Sequence, residues 1–177
     1  APIDSYSCAC HAGFANGVCD YPYVELYTNS CAIAHSVASS SFSGNCDIDV
    51  DECASVPCDN GAVCIDSATD LPDSTGVSTT SADAFRCLCA AGYADGWCDY
   101  QHISEYAELC NVTAGGTCGI DVDECASSPC ANNAACSDSS ISVAVGVAVY
   151  RCTCIAGYAS GVCDYDFIDD YTVACNY

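Results

Sequence analysis

Cys53, Cys58, Cys64, Cys87, Cys89 and Cys98 are separated by 5, 6, 23, 2 and 9 positions, and Cys125, Cys130, Cys136, Cys152, Cys154 and Cys163 by 5, 6, 16, 2 and 9. Only the third gap varies. Cys8, Cys10 and Cys19 repeat the closing 2 and 9, so the same text is written three times: CACHAGFANGVCDY, CLCAAGYADGWCDY and CTCIAGYASGVCDY. Self-similarity of this kind marks a repeat architecture, each unit being one small supersecondary element.

Cysteine supplies 20 of the 177 residues, about 11%, above the roughly 8–10% that marks a disulfide scaffold. So many bridges persist only in an oxidising setting, which predicts an extracellular protein, secreted or on a cell-surface appendage. The chain has no initiator Met and no signal peptide and reads as mature or truncated. Units of about 40 residues bury too little apolar surface to stand alone. The bridges replace that core, each contributing ~2–4 kcal/mol by restricting the unfolded chain. Cys-x-Cys followed by a Gly-aromatic turn predicts small β-hairpins. The expected fold class is therefore small and disulfide-rich, mainly β-hairpins, in tandem modules joined by short Cys-containing linkers.

A second element recurs between modules. Cys19 to Cys31, Cys98 to Cys110 and Cys163 to Cys175 each span 12 positions, and Tyr, Val or Ile, Tyr and Cys fall at offsets 0, 3, 6 and 10 between them. That stripe predicts a short helix with Asp at its start, and a twisted strand also fits. Cys46 and Cys118 each precede the next module's first cysteine by seven positions, which suggests the linker pairs Cys31–Cys46 and Cys110–Cys118. The stretch Ser139–Cys152, with alternating β-branched residues, predicts a strand whose exposed edge pairs with another chain; its apolar run is Ile141–Val149. It is too short to cross a bilayer, which takes ~20 residues, so no membrane insertion is expected.

With 24 acidic and two basic side chains the formal charge is −22, which excludes nucleic acid and anionic membranes as partners. Much of that charge is concentrated in a twice-written stretch, DVDEC, at Asp49–Cys53 and Asp121–Cys125.

Taken with the cysteine spacing and the G-[FY]-x-x-G-x-C turn, this prefix resembles that of the calcium-binding EGF-like domain. The resemblance covers Asp49–Cys98 and Asp121–Cys163, with Tyr6–Cys19 as the last half of a further copy. It implies pairing of first with third, second with fourth and fifth with sixth cysteine. Carried over, that gives Cys53–Cys64, Cys58–Cys87 and Cys89–Cys98, then Cys125–Cys136, Cys130–Cys152 and Cys154–Cys163, with Cys10–Cys19 in the half module. It also implies structural Ca²⁺ ligands at Asp49, Glu52 and Asp66, and at Asp121, Glu124 and Asp138, with carbonyls from Val50 and Val122. Two features depart from the family pattern. Long inserts, Ser67–Ala84 and Ser139–Val149, precede the aromatics Phe85 and Tyr150, and residues 99–124 separate modules that the family joins directly.

The expected organisation is a C-terminal half module (1–20), a disulfide linker (21–48), a module with a long insert (49–99), a second linker (100–120), a module (121–164) and a half linker (165–177). His11, His35 and His102 occupy unrelated positions, so neither a zinc site nor catalysis is expected, and the chain is not read as an enzyme. Trp97 stands where Val18 and Val162 stand, a packing position. Asn111-Val112-Thr113 is an N-glycosylation sequon, Asn29-Ser30-Cys31 a weaker variant, and Ser67–Asp83 suits O-glycans or a mobile loop. The pairing leaves Cys8 and Cys175, which suggests a head-to-tail bridge between subunits, an intramolecular bond being the alternative. More loosely, such repeats resemble the shaft proteins of algal tubular mastigonemes. The expected function is a structural subunit of an extracellular glycosylated filament whose partners are copies of itself. A calcium-stiffened recognition or adhesion module is the alternative.

Overall fold

The computed structural model describes residues 5–19, 27, 30–31, 35–36, 44–67 and 80–164. Among them are ten short strands in five antiparallel pairs, three 3-10 turns and nine disulfides. The result is a disulfide-rich chain of hairpins, compatible with EGF-like modules.

Two hairpins lie within modules. β5 (Val63–Asp66) pairs with β6 (Phe85–Leu88), and β9 (Ala135–Asp138) with β10 (Tyr150–Thr153). Two pairs cross between units instead. β2 (Phe14–Ala15) pairs with β4 (Ile48–Asp49), and β7 (Tyr93–Ala94) with β8 (Ile120–Asp121). The acidic prefix of each module is thus a strand added to the Gly-aromatic turn of the module before it. β1 (Ser5–Tyr6) pairs with β3 (His35–Ser36) in the first linker.

The apolar core lies at these joints, because a module alone has too few apolar side chains to make one. At the second joint Ala94 of one module, Ile103, Tyr106 and Cys110 of the linker and Val122 of the next prefix pack together. At the first joint Ala15, Tyr27 and Val50 do the same. The linker tyrosines also accept hydrogen bonds from the prefix: the Asp51 amide donates to Tyr27 Oη and the Asp123 amide to Tyr106 Oη, each at 2.9 Å.

Three expectations are corrected. The second linker is not an α-helix: a 3-10 turn over Tyr100–His102 leads into successive turns. The amides of Ile103 and Tyr106 bond three residues back, and that of Cys110 four residues back to Tyr106. The stripe of Tyr100, Ile103, Tyr106 and Cys110 nevertheless shares one buried face, since spacings of 3, 3 and 4 suit a chain of turns as well as a helix. The corresponding stripe of the last linker lies outside the described residues.

The second correction concerns disulfide pairing around the linkers. Cys98 bonds Cys110, not Cys89, and Cys89 bonds Cys118. Likewise Cys19 bonds Cys31, and Cys10 bonds Cys46. The expected Cys10–Cys19, Cys31–Cys46, Cys89–Cys98 and Cys110–Cys118 are absent. The turns fold Cys110 back onto Cys98 (Cα–Cα 4.6 Å), which leaves Cys89 to the next cysteine along. The pairs Cys53–Cys64, Cys58–Cys87, Cys125–Cys136, Cys130–Cys152 and Cys154–Cys163 are those the resemblance implies.

Third, the strand expected over Ser139–Cys152 forms only at its end, in β10, and Ile141–Val149 is a run of turns. The Ser142 amide bonds Asp138 O and the Val145 amide bonds Ser142 O, and Ala148 has φ +64°. Those local bonds curl the alternating sequence into the tip of the β9–β10 hairpin. Val145 is buried there, while Ile141, Val143 and Val149 face outward.

Candidate cation site at the module joints

Three elements converge behind each prefix. Glu52 opens the 3-10 turn Glu52–Ser55 and Glu124 opens its copy Glu124–Ser127. Each turn is closed by a left-handed residue, Val56 or Ser128, whose amide bonds the cysteine carbonyl at 2.9 Å. The disulfides Cys53–Cys64 and Cys125–Cys136 tie these turns to β5 and β9. Those strands end in Asp66 and Asp138, both essentially inaccessible. Asp49 and Asp121 end β4 and β8, paired with Phe14 and Tyr93. Val50 and Val122 are wholly buried, their amides bonded to Gly13 O and Gly92 O at 2.8 Å.

The two buried glutamates lack compensation. Glu52 and Glu124 are 6% and 7% exposed, and all four of their carboxylate oxygens are buried without a hydrogen-bond partner. Asp49 Oδ1 and Asp138 Oδ2 are in the same state. Unpartnered buried polar atoms are rare in folded proteins, and ionised ones cost most. Burial accordingly pushes the Glu52 carboxyl up to about 7, with repulsion from Asp66, Asp49 and Asp83 adding to it. Glu124 is pushed up for the same reason, burial first and then Asp138, Asp121 and Asp123.

The remaining contacts restrain the ring of acids. Ser67 Oγ donates to Asp49 Oδ2 at 3.3 Å, and Ser139 Oγ to both oxygens of Asp121 at 3.1 Å. Asp138 Oδ1 accepts from Ser140 Oγ at 2.7 Å and the Ile141 amide at 3.2 Å. Burial raises the Asp138 pKa, but the hydrogen bonds from Ser140, Asp123 and the Ile141 amide outweigh it and hold the group low. Asp123, sharing a hydrogen bond with Asp138, is held high. Oxygens of Asp123 and Asp138 and Cys125 Sγ all lie within 4.8 Å of one another. That sulfur is in a disulfide, so it offers no thiolate and the donors left are oxygens. Several carboxylate oxygens around a buried spot fit a hard divalent cation and not a soft one.

The sequence reading omitted Asp123 and the two serines. The spacing of the prefix carried a signal for Asp123, because it sits at the start of the 3-10 turn, where its side chain accepts from the Ala126 amide at 3.1 Å. The hydroxyls gave none, since Ser67 and Ser139 belong to the variable inserts.

The other singled-out residues lie elsewhere. His11 and His102 are exposed, the latter bonded to Asp99 O. The side chain of His35, together with Asn29 and Cys175, lies outside the described residues, as do 68–79 of the insert. Trp97 stacks under the Arg86 guanidinium, 5.2 Å from the ring centroid. Cys8 is half-buried and in no disulfide with a described cysteine. Among the described residues no helix is long and apolar enough to cross a membrane. No protein-family model matches the chain, and no curated protein matches it.

Proposed function

We propose that the chain is a non-catalytic structural segment of an extracellular, glycosylated filament, built of calcium-binding EGF-like repeats and stiffened by Ca²⁺ at each joint. One observation carries this reading. The unpartnered glutamates lie in the turn next to the strand that docks on the preceding module, so an ion bound there braces two modules at once. Asp49, Glu52 and Asp66 would hold one ion, and Asp121, Glu124 and Asp138 with Asp123 the other. Bound calcium supplies charge compensation, nothing more. Nine disulfides suit the oxidising setting that an extracellular filament occupies.

Extracellular calcium modules bind at ~10⁻⁴–10⁻³ M, so 10 mM Ca²⁺ stabilises each site by on the order of 2 kcal/mol. Thermal unfolding and protease digestion with calcium and with chelator measure this, and unchanged values in both sink the cation reading. Negative-stain microscopy of the native material checks assembly: filaments support it. Dispersed short particles favour the recognition role, for which the outward Ile141, Val143 and Val149 offer a surface.

Asn111 is exposed, next to the Cys98–Cys110 bridge, and is expected to carry an N-linked glycan. Peptide mass spectrometry of native material that finds it wholly unmodified removes that part of the proposal.

A further inference from the structure

The three Gly-aromatic turns share a sequence but not a structure. Gly13 and Gly92 are buried beneath the insert loop of the following module. A Cβ on Gly13 would lie 2.0 Å from Ala82 O, and one on Gly92 would lie 2.2 Å from Val147 Cγ1 and 2.8 Å from the Ala148 amide. Their counterpart Gly157 is exposed, with no described atom within 4 Å of such a Cβ.

The next glycine repeats the contrast. A Cβ on Gly17 would lie 2.6 Å from the sulfurs of Cys10 and Cys46, and one on Gly96 would lie 2.6 Å and 2.7 Å from those of Cys118 and Cys89. Glycine is required there because the crossing disulfide fills the side-chain space. Gly161 has no described atom within 4 Å of such a Cβ. Among the described residues nothing fills its side-chain space.

Cys163 explains the difference. In the second module the Asp59 amide bonds Thr117 O at 2.7 Å, and Asn60 Nδ2 bonds Cys118 O at 2.9 Å. In the third the Ala131 amide bonds Val162 O at 2.8 Å, and Asn132 Nδ2 bonds Cys163 O at 2.9 Å. Cys46, Cys118 and Cys163 have φ of 57°, 57° and 62°. Their amides bond the carbonyls of Asn16, Asp95 and Ser160 respectively. Cys163 therefore occupies the seat that Cys118 fills one module earlier, although its sequence counterpart is Cys98.

We infer that Cys163 is a placeholder, and that the turn Gly157–Cys163 is a docking site for a following repeat whose linker cysteine takes that seat and bonds Cys154. The partner is a segment with a cysteine three positions before the first Asp of a D-x-D-E-C prefix, as Cys46 and Cys118 stand to Asp49 and Asp121. By the register Phe14↔Asp49 and Tyr93↔Asp121, its first prefix Asp pairs with Tyr158. The amide of its next residue bonds Gly157 O, and its insert loop covers Gly157. Cys163 then takes Cys175, 12 positions on, as Cys19 takes Cys31 and Cys98 takes Cys110.

The chemistry balances. The Cys175 thiolate attacks Cys163 Sγ, the Cys154–Cys163 bond breaks, and Cys154 leaves as a thiolate, with no net oxidation. Cys154 and the incoming thiol then give two electrons and two protons to one small-molecule disulfide, which leaves as two thiols. This inference goes beyond the filament reading and stands without calcium.

The test replaces Asn176–Tyr177 with a copy of residues 111–124, so that the chain runs on from Cys175 as it does from Cys110, refolds it with oxidised glutathione in chelator and maps disulfides by non-reducing peptide mass spectrometry. The Cys154–Cys163 peptide is expected to vanish in favour of Cys163–Cys175 and a bond from Cys154 to the appended cysteine. The same extension with that cysteine changed to serine is expected to keep Cys154–Cys163. An extended chain that retains Cys154–Cys163 and leaves the appended cysteine free overturns the inference, as does loss of the bond in the serine control. The Cys89–Cys118 and Cys98–Cys110 peptides report in every sample that the preceding modules have folded.

Discussion

Gly96→Ala is expected to abolish the Cys89–Cys118 bridge, whereas Gly161→Ala leaves the disulfide map of the unextended chain unchanged. Gly96 needs no positive φ, so backbone strain does not enter. The cause is space: the new Cβ would meet the sulfurs of Cys118 and Cys89 at 2.6 and 2.7 Å and Cys87 O at 2.8 Å. The carbonyl belongs to the backbone of β6 and the sulfurs to a fixed bond, so neither side can give way cheaply. Losing a native bridge in a small secreted domain costs ~2–5 kcal/mol, a fall in Tm of roughly 5–15 °C for a chain of this length. Thiol titration should find two additional free thiols in Gly96→Ala and none in Gly161→Ala. Equal effects at the two positions would mean that the crossing bridge is not what excludes a side chain.

That asymmetry also marks the limit of what the sequence disclosed. Spacing was enough for the small hairpins, and the EGF-like resemblance, not the spacing by itself, implied the five disulfides that form as expected. It failed at the linkers, where Cys89, Cys98, Cys110 and Cys118 lie close enough for more than one pairing. The choice there was made by packing. Tyr100, Ile103 and Tyr106 must bury one face against Ala94 and Val122, and that fold carries Cys110 to Cys98. The stripe was legible as a buried face but not as a chain of turns, since its offsets suit both. The alternating apolar residues of Ile141–Val149 misled for a related reason. Period-two patterning predicts a strand only where a partner strand is in reach, and here the hairpin tip closes on Asp138 instead. The acids of the prefix were legible as a group from their density. The lack of any partner for Glu52 and Glu124 was not, because it depends on which face of the 3-10 turn is turned inward.

In chelator the protein should lose stability as pH rises from 5 to 8, and calcium should reverse that slope. The folded protein holds the Glu52 proton more tightly than the unfolded chain does, at about 7 against an ordinary 4.5. A group raised in this way contributes stability that is fully present below 4.5 and lost as pH passes through 7. Glu124 and Asp123 are raised as well and act in the same sense. Asp47, held low by hydrogen bonds from Asn16 and Asn45, acts in the opposite sense, but below the ordinary carboxylate value and so outside this window. Asp138, also held low, falls outside it too. For Glu52 the change is worth on the order of 2–3 kcal/mol at 1.36 kcal/mol per pH unit, before solvent screening reduces it. A bound divalent cation favours the ionised carboxylates, so calcium stabilisation should grow over the same interval. Glu52→Gln removes the buried charge and the ligand together, and melts in chelator and in calcium separate the two effects. In chelator at pH 8 the variant should exceed the parent in Tm, and the difference should shrink as pH falls to 5. With calcium at pH 8 it should lack about half of the parent's gain, and the double variant with Glu124→Gln should lack nearly all of it. Thermal melts at three pH values with and without calcium read every arm. A full calcium response in the double variant would place the ion elsewhere, and a Tm in chelator that climbs from pH 5 to 8 would show that these glutamates are not buried as charges.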